Sequence, residues 1–117
     1  MVKGKIIQGG KMVTLDDFKK LELKVAKIIE VKEHPNADRL YVITVDLGGR
    51  EKQLVAGLKE HYGQDELKGK QIIVIDNLEP AVIRGIKSEG MLLAAQDEER
   101  ISILIPEKKV RLGSNVR

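Results

Sequence analysis

No cysteine occurs among the 117 residues, so disulfides, thiolate metal sites and a cysteine nucleophile are all excluded. Tryptophan is absent too. Phe18, Tyr41 and Tyr62 are the only aromatics, which leaves the core to aliphatic side chains, with Phe18 and Tyr41 expected among them. His34 and His61 are the only histidines, so a multi-histidine metal site is excluded. A Ser-His-Asp arrangement survives the count, with only two histidines to serve it. No stretch approaches the roughly 20 apolar residues of a membrane-spanning helix. Met1-Val2-Lys3-Gly4-Lys5 carries charge without the apolar region of a secretory signal. With neither cysteine nor signal, a cytoplasmic location and no membrane partner are expected.

What is present fits one domain. A chain of this length buries roughly two-thirds of its unfolded surface, enough for one core without staples. Lys and Arg number 21 against 18 Asp and Glu, a net charge of +3. The excess is uneven: residues 1–32 hold eight Lys against four acids, while residues 71–117 hold seven of each sign. A mildly basic chain with its excess at one end points weakly to a polyanionic partner.

Residues 1–13 carry Gly4, Gly9 and Gly10 and no clean period, and read as an arm with a short strand at Lys5 to Gln8. Residues 14–117 read as the domain. Thr14 is placed to cap a short helix, with Asp16 and Asp17 in its first turn and Lys19 and Lys20 in its last. Leu15, Phe18 and Leu21 fall on one side of it.

From Glu22 the period becomes two, the signature of a half-buried strand. Leu23, Val25, Ile29 and Val31 share one parity, and Lys27 lands among them, so a bulge at Lys27 is expected to re-aim it. His34 to Asp38 is loop chemistry. Tyr41, Ile43, Val45 and Leu47 mark a second strand, Gly48-Gly49 a hairpin turn, and Glu51 to Leu58 a third strand. Asp65 to Leu67 reads as a helical turn ended by Gly69, and Gln71 to Asp76 as a fourth strand. Asn77 to Gly90 is a long connection, Met91 to Ala95 a fifth strand and Arg100 to Ile105 a sixth, followed by a basic tail.

Five or six short strands, a helical turn between the third and fourth, and no crossover helices predict an all-β fold. The best match is a five-stranded OB-fold barrel with short helices and terminal extensions. The loops Glu33–Arg39 and Asn77–Gly90 would then flank one binding face.

Catalytic chemistry is poorly supplied. His34 and Asp38 sit four apart in a loop, and no nucleophile elbow or phosphate loop is present. His34 is expected to fix its turn, and the acids at 65–66 and 97–99 to be solvated caps. No enzyme activity, cofactor or metal is expected. The distinctive chemistry lies in Ile83 to Met91. Arg84 and Lys87 flank Gly85, so two cations approach a backbone with no side chain between them. Ser88 offers a small hydroxyl for a phosphate or ribose, and Met91 a polarizable surface. With so few aromatics, base stacking is not the means of recognition; a folded RNA read by shape and backbone fits better.

At this point the chain resembles the tRNA-binding domain family found in or beside methionyl-tRNA synthetases. The resemblance is carried by Glu22–Ile28, by His34-Pro35-Asn36-Ala37-Asp38-Arg39-Leu40-Tyr41-Val42, by Leu54–Leu58, by Glu66–Lys70, by Asn77–Pro80 and by Arg84–Ala95. It implies an OB barrel, a homodimer and non-catalytic binding of tRNA by shape, the protein either acting alone or supplying affinity to methionyl-tRNA synthetase. It implies contacts from Arg84, Lys87, Ser88 and Met91, with Lys24, Lys27, Arg39, Lys52 and Asn77 as companions. Glu79, Ala81 and Val82 depart from the family's more basic pattern there, and Ala26 stands where Gly is common. Leu104, Ile105, Val110 and Leu112, with Ile6, Ile7 and Met12, would supply an apolar seam for a second copy. The alternative is a dimeric chaperone-like relative of the same fold that holds unfolded or export-destined polypeptides in an apolar groove.

Overall fold

The computed structural model describes residues 11–117. The expected strand at Lys5 to Gln8, and Ile6 and Ile7 of the apolar seam, lie outside those residues. Thr14 caps as its position predicts: its Oγ1 accepts the Asp17 amide proton at 3.0 Å and opens α1 (Leu15–Lys19). No residue of this five-residue helix is buried. Phe18 is 38% exposed, so the aromatic expected in the core lies at the surface. Tyr41, by contrast, is buried.

Six described strands form the main sheet, five of them in one continuous path: β1 (Leu23–Glu33), β2 (Tyr41–Asp46), β3 (Glu51–Ala56), then α2 (Gln64–Leu67), β4 (Gln71–Ile75), and later β7 (Met91–Leu92). Their spatial order is β3-β2-β1-β4-β7, all antiparallel, and residues 88–90 return to β3 to bring the sheet nearly to closure. Between β4 and β7 lie β5 (Ala81–Ile83) and β6 (Ile86–Ser88), a separate hairpin. After β7 come β8 (Ala94–Gln96) paired with β9 (Ile101–Ile103), and finally β10 (Asn115–Val116) on β1. Among the described residues the fold is an all-β barrel with two short helices. The fourteen-residue connection from Asn77 thus contains a hairpin, and the expected fifth strand is cut at Leu93. There the Leu93 amide donates to Ile73 O at 3.0 Å while its carbonyl accepts from Leu104 at 3.0 Å.

β1 organises the barrel because both its edges are paired, with β4 along one and with β2 and the short β10 along the other. Leu23 to Lys27 pair with β4, and Lys27 to Glu33 pair with β2. A bulge falls at Ile29, where Ile28 opposes Val45 and Glu30 opposes Thr44. This differs from the expected bulge at Lys27. Lys27 needs none, since its parity with Leu23 and Val25 is the outer face. Ala26 and Ile28 point inward, and the bulge restores Val31 to the inside. The core packs Ala26, Ile28, Val31, Tyr41, Ile43, Val45, Leu54, Leu67, Ile72 and Val74, and Leu67 delivers α2 to it.

The outer face of β1 is covered as well. Leu23, Val25 and Ile73 pack against half-buried Leu93, Leu112 and Val116, so the C-terminal segment builds a second small core. Backbone bonds hold it down: Val25 N donates to Ser114 O at 3.0 Å, and Gly113 N donates to Val25 O at 2.8 Å. The segment also presses on the β2–β3 turn. Gly48 (φ +90°) and Gly113 (φ +85°) both need the left-handed region, and a Cβ on either would lie within 2.7 Å of the carbonyl oxygen of Leu112 or Leu47 respectively. At the far hairpin, Asp97 Oδ1 accepts the Glu99 and Arg100 amide protons, bonds that hold its carboxyl below the ordinary carboxylate value.

Candidate nucleic-acid interface

The β5–β6 hairpin turns through two residues, Arg84 (φ +52°) and Gly85 (φ +91°), which join the paired residues Ile83 and Ile86. Positive φ at both central residues is the type I′ pattern, which matches strand twist. Gly adopts it freely, whereas Arg is strained there by about 1 kcal/mol. Arg84 is the one described non-glycine residue with positive φ.

The loop after β1 holds that turn in place. His34 is buried; one ring nitrogen, Nε2, lies 3.0 Å from Ile83 O, and the other, Nδ1, accepts the Asn36 amide proton at 2.9 Å. Asn36 Nδ2 donates to Arg84 O at 3.4 Å, and Arg84 Nη2 donates to Asn36 O at 3.3 Å. The ring therefore fixes its own turn, as expected, and also ties that turn to the hairpin. Between the two loops lies a notch of about 330 Å³ lined by Ala37, Asp38, Arg39, Leu40 and Arg84. Two of the expected cations, Arg39 and Arg84, thus meet. Arg39 is already paired with Glu60 at 3.3 Å, both exposed. Arg84 and Lys87 make no ion pair among the described residues.

Beside the notch, and sharing Leu40 with it, runs an apolar groove of about 420 Å³. Ile83, Met91, Leu92 and Ile101 line it together with Gly57. Met91 is half-exposed at its edge, where the sequence reading expects an accessible surface. Groove and notch together make one continuous face that joins apolar surface to guanidinium charge.

Three expected contact residues, Ser88, Asn77 and Lys52, spend their polar atoms on partners within the chain. Ser88 is buried; its Oγ accepts the Val55 amide proton at 3.0 Å and donates to Gly90 O at 3.0 Å. Asn77 brackets the start of β1: its Oδ1 accepts from Glu22 N at 2.8 Å and its Nδ2 donates to Lys20 O at 2.7 Å. Lys52 pairs with the buried Asp76 carboxylate at 2.8 Å. Arg50 grips the same carboxylate with both terminal nitrogens. The Arg50 hydrogen bonds, aided by Lys52, hold the Asp76 carboxyl down at about 2 against the cost of burying it. The ladder from β3 to residues 88–89 is completed by side chains. Glu89 Oε1 accepts from Gln53 N at 2.9 Å, and Gln53 Nε2 donates to Lys87 O at 2.8 Å. These bonds hold the Arg84–Lys87 segment against the barrel wall.

Lys24 and Lys27 both lie near the C-terminal segment, on opposite faces of β1. Lys24 Nζ donates to Asn115 Oδ1 at 2.6 Å, and Lys27 lines a depression with Gly69, Gln71, Lys109 and Leu112. The site thus has two groups. Arg39, Arg84 and Met91 share the loop face, Lys87 follows on its hairpin, and Lys24 and Lys27 sit beside the C-terminal segment. Sequence reasoning missed Asn36 and Asp76. Asn36 stands in a motif it quoted, but as a turn former. Asp76 looked like the end of a strand, and the cations that meet it are 24 and 26 residues away in the chain.

A sequence profile described as "Putative tRNA binding domain" matches residues 23–115. Methionine–tRNA ligase of Thermococcus kodakarensis is 56% identical over 112 residues, 94% of this chain, and that of Pyrococcus abyssi is 58% identical over 105 residues, 90% of the chain. The chain spans only 15% and 14% of those relatives' own length. Among solved structures, a MetRS-related protein from Pyrococcus horikoshii superposes with a TM-score of 0.86 at 28% identity, covering 92% of this chain and 99% of that one. The chaperone CsaA of Bacillus anthracis superposes with a TM-score of 0.83 at 26% identity, covering 92% and 100%.

Proposed function

Because the chain belongs to the tRNA-binding domain family, we propose that it binds tRNA through the notch-and-groove face and catalyses no reaction on it. The observation that carries this reading is the Arg84 turn. A strained cationic residue is displayed at a hairpin tip, tied to a second loop that brings Arg39 beside it, with Lys87 free of carboxylates among the described residues. Guanidinium groups match phosphate geometry. The groove offers Met91 and aliphatic walls to a ribose or base edge, and no exposed aromatic platform lines it. Contacts then come from Arg39, Arg84, Lys87 and Met91, with Lys24 and Lys27 meeting a separate stretch of backbone. Ser88, Lys52 and Asn77 serve by holding the face in shape.

The strand order is that of an OB barrel, whose loops after the first and fourth strands are used in the same manner. A homodimer is part of this reading, supported by exposed Leu104, Ile105 and Val110, apolar side chains on which a second copy would pack. The ligase relatives support a role in the cytoplasm, supplying tRNA affinity to methionyl-tRNA synthetase. A second reading, a holder of unfolded polypeptides, is favoured by one observation, the aliphatic lining of the groove.

The test is a gel-shift series with several tRNAs and an RNA duplex control, competed by a reduced, unfolded polypeptide, with light scattering for mass. The tRNA reading expects binding of tRNA over duplex, indifference to the polypeptide and the mass of two chains. Preference for the polypeptide, with no tRNA shift, overturns it.

A further inference from the structure

We propose that His34 is a positioning residue that works only in its neutral form, so that proton uptake by its ring uncouples the Arg84 turn from the loop carrying Arg39 and weakens RNA binding. The inference rests on the tRNA-binding reading above and adds a control to it.

The protonation state follows from the partners. The Asn36 amide has a proton and no acceptor, so Nδ1 must bring a lone pair. Ile83 O is a carbonyl with no proton, so Nε2 must bring the N–H. Both partners are backbone groups, which cannot rotate or exchange roles as an amide side chain or hydroxyl would. The ring is thus the neutral Nε2–H tautomer. A second proton would set Nδ1–H against the Asn36 N–H at 2.9 Å, two donors facing each other. His34 is buried, 5% exposed as a residue, so the two donors are not simply separated by bulk water while the loop stays closed. The bond to Ile83 survives protonation, so it is the 36–39 side that lets go. With it go the paired bonds between Asn36 and Arg84, which hold the notch together.

The surrounding charges are accounted for. On β1 stand Lys32 and Glu33, with Glu33 already paired to Lys59 at 3.1 Å. In the loop itself are Asp38 and Arg39, with Arg39 paired to Glu60. The hairpin brings only cations, Arg84 and Lys87.

The sign of the effect separates it from ordinary electrostatics. Acidification adds positive charge, and a basic protein that binds phosphates through such charge should then bind RNA more tightly. Uncoupling at His34 acts the other way. The test uses the 117-residue chain carrying His61→Asn, so that His34 is its sole histidine, and fluorescently labelled mixed tRNA. Affinity is read from pH 7.5 to 5.5 at fixed salt, alongside hydrogen exchange at the Asn36 amide. A fall of about tenfold in affinity is expected, in step with loss of Asn36 protection. His34→Gln, which places a neutral donor near the Nε2 position, should abolish the fall. His34→Asn, which places an acceptor near Nδ1, is the second variant should the first not fold, and should also remove the pH dependence. Affinity that holds or rises on acidification, with Asn36 still protected, overturns the proposal. Absence of tRNA binding at pH 7.5 overturns the functional reading instead, and Asn36 exchange alone then decides the role of His34.

Discussion

Ser88 substitutes for a strand partner of Val55: its hydroxyl oxygen accepts the Val55 amide proton at 3.0 Å where a backbone carbonyl would do so in a regular ladder. The same hydroxyl donates to Gly90 O, so one side chain satisfies two buried backbone groups at the place where the barrel closes. Ser88→Ala leaves the Val55 amide without a partner and should cost about 1–3 kcal/mol of stability, read as a lowered urea midpoint. Under conditions where the variant is fully folded, its RNA affinity should fall by less than that of Arg84→Ala. Equal losses in the folded variants would make Ser88 a direct contact after all.

Arg84 separates conformation from charge. Replacement by Gly removes the side chain and relieves the left-handed backbone at φ +52°. Arg84→Gly should therefore match or exceed the parent in stability, by up to about 1 kcal/mol. It should still lose RNA affinity and show a salt dependence shallower by about one phosphate. Arg84→Ala should lose affinity without the gain in stability. Paired urea and salt titrations check both, and an unchanged salt slope for either variant would remove Arg84 from the interface.

Asp76 sets an acid limit on the fold. Its carboxyl is held at about 2, below the ordinary value of 3.8, chiefly by Arg50 and then Lys52. The charged form is thus favoured by folding. Its contribution, about 2 kcal/mol, is fully present above the unfolded value and is lost as pH falls from about 4 to about 2. Asp76→Asn should lower stability at neutral pH and flatten the stability profile across that window. A profile as steep as the parent's would place the acid sensitivity elsewhere.

Gly113 tests the second small core. A methyl group there would lie 2.6 Å from Leu47 O, on a backbone at φ +85°. Gly113→Ala should push the C-terminal segment off the β2–β3 turn, lowering stability by about 2 kcal/mol or more. Hydrogen exchange should show loss of protection at Val25 and Gly113, whose amides donate into this contact, before loss at the inner core.

The elements with a clean period were readable from the chain. β2 places Tyr41, Ile43, Val45 and Leu47 inward as its alternation indicates, and Thr14 and Gly48-Gly49 mark their cap and turn. β1 misled because its two faces are both apolar-covered: Leu23 and Val25 meet the C-terminal segment while Ala26 and Ile28 meet the core, and alternation alone assigns one face. The hairpin of residues 81–88 could be read only as a long connection or a hairpin-like loop without strand bounds, because Arg-Gly lacks the Asn-Gly or Asp-Gly signal of its turn type. The cations of the site were visible as residue types. Which of them are spent internally was not, because Lys52 meets Asp76 and Ser88 meets Val55 only through closure of the barrel.

The pairing of Leu23 with Val116 places the first and last strands of the barrel shoulder to shoulder. A linker of a few residues should therefore join the two ends without strain, and a circular permutant opened at the solvent-facing Asp97–Glu99 turn should retain the fold. The same adjacency means that cargo fused before β1 or after β10 hangs from a common pole, so a larger polypeptide can carry this module as a pendant on either flank.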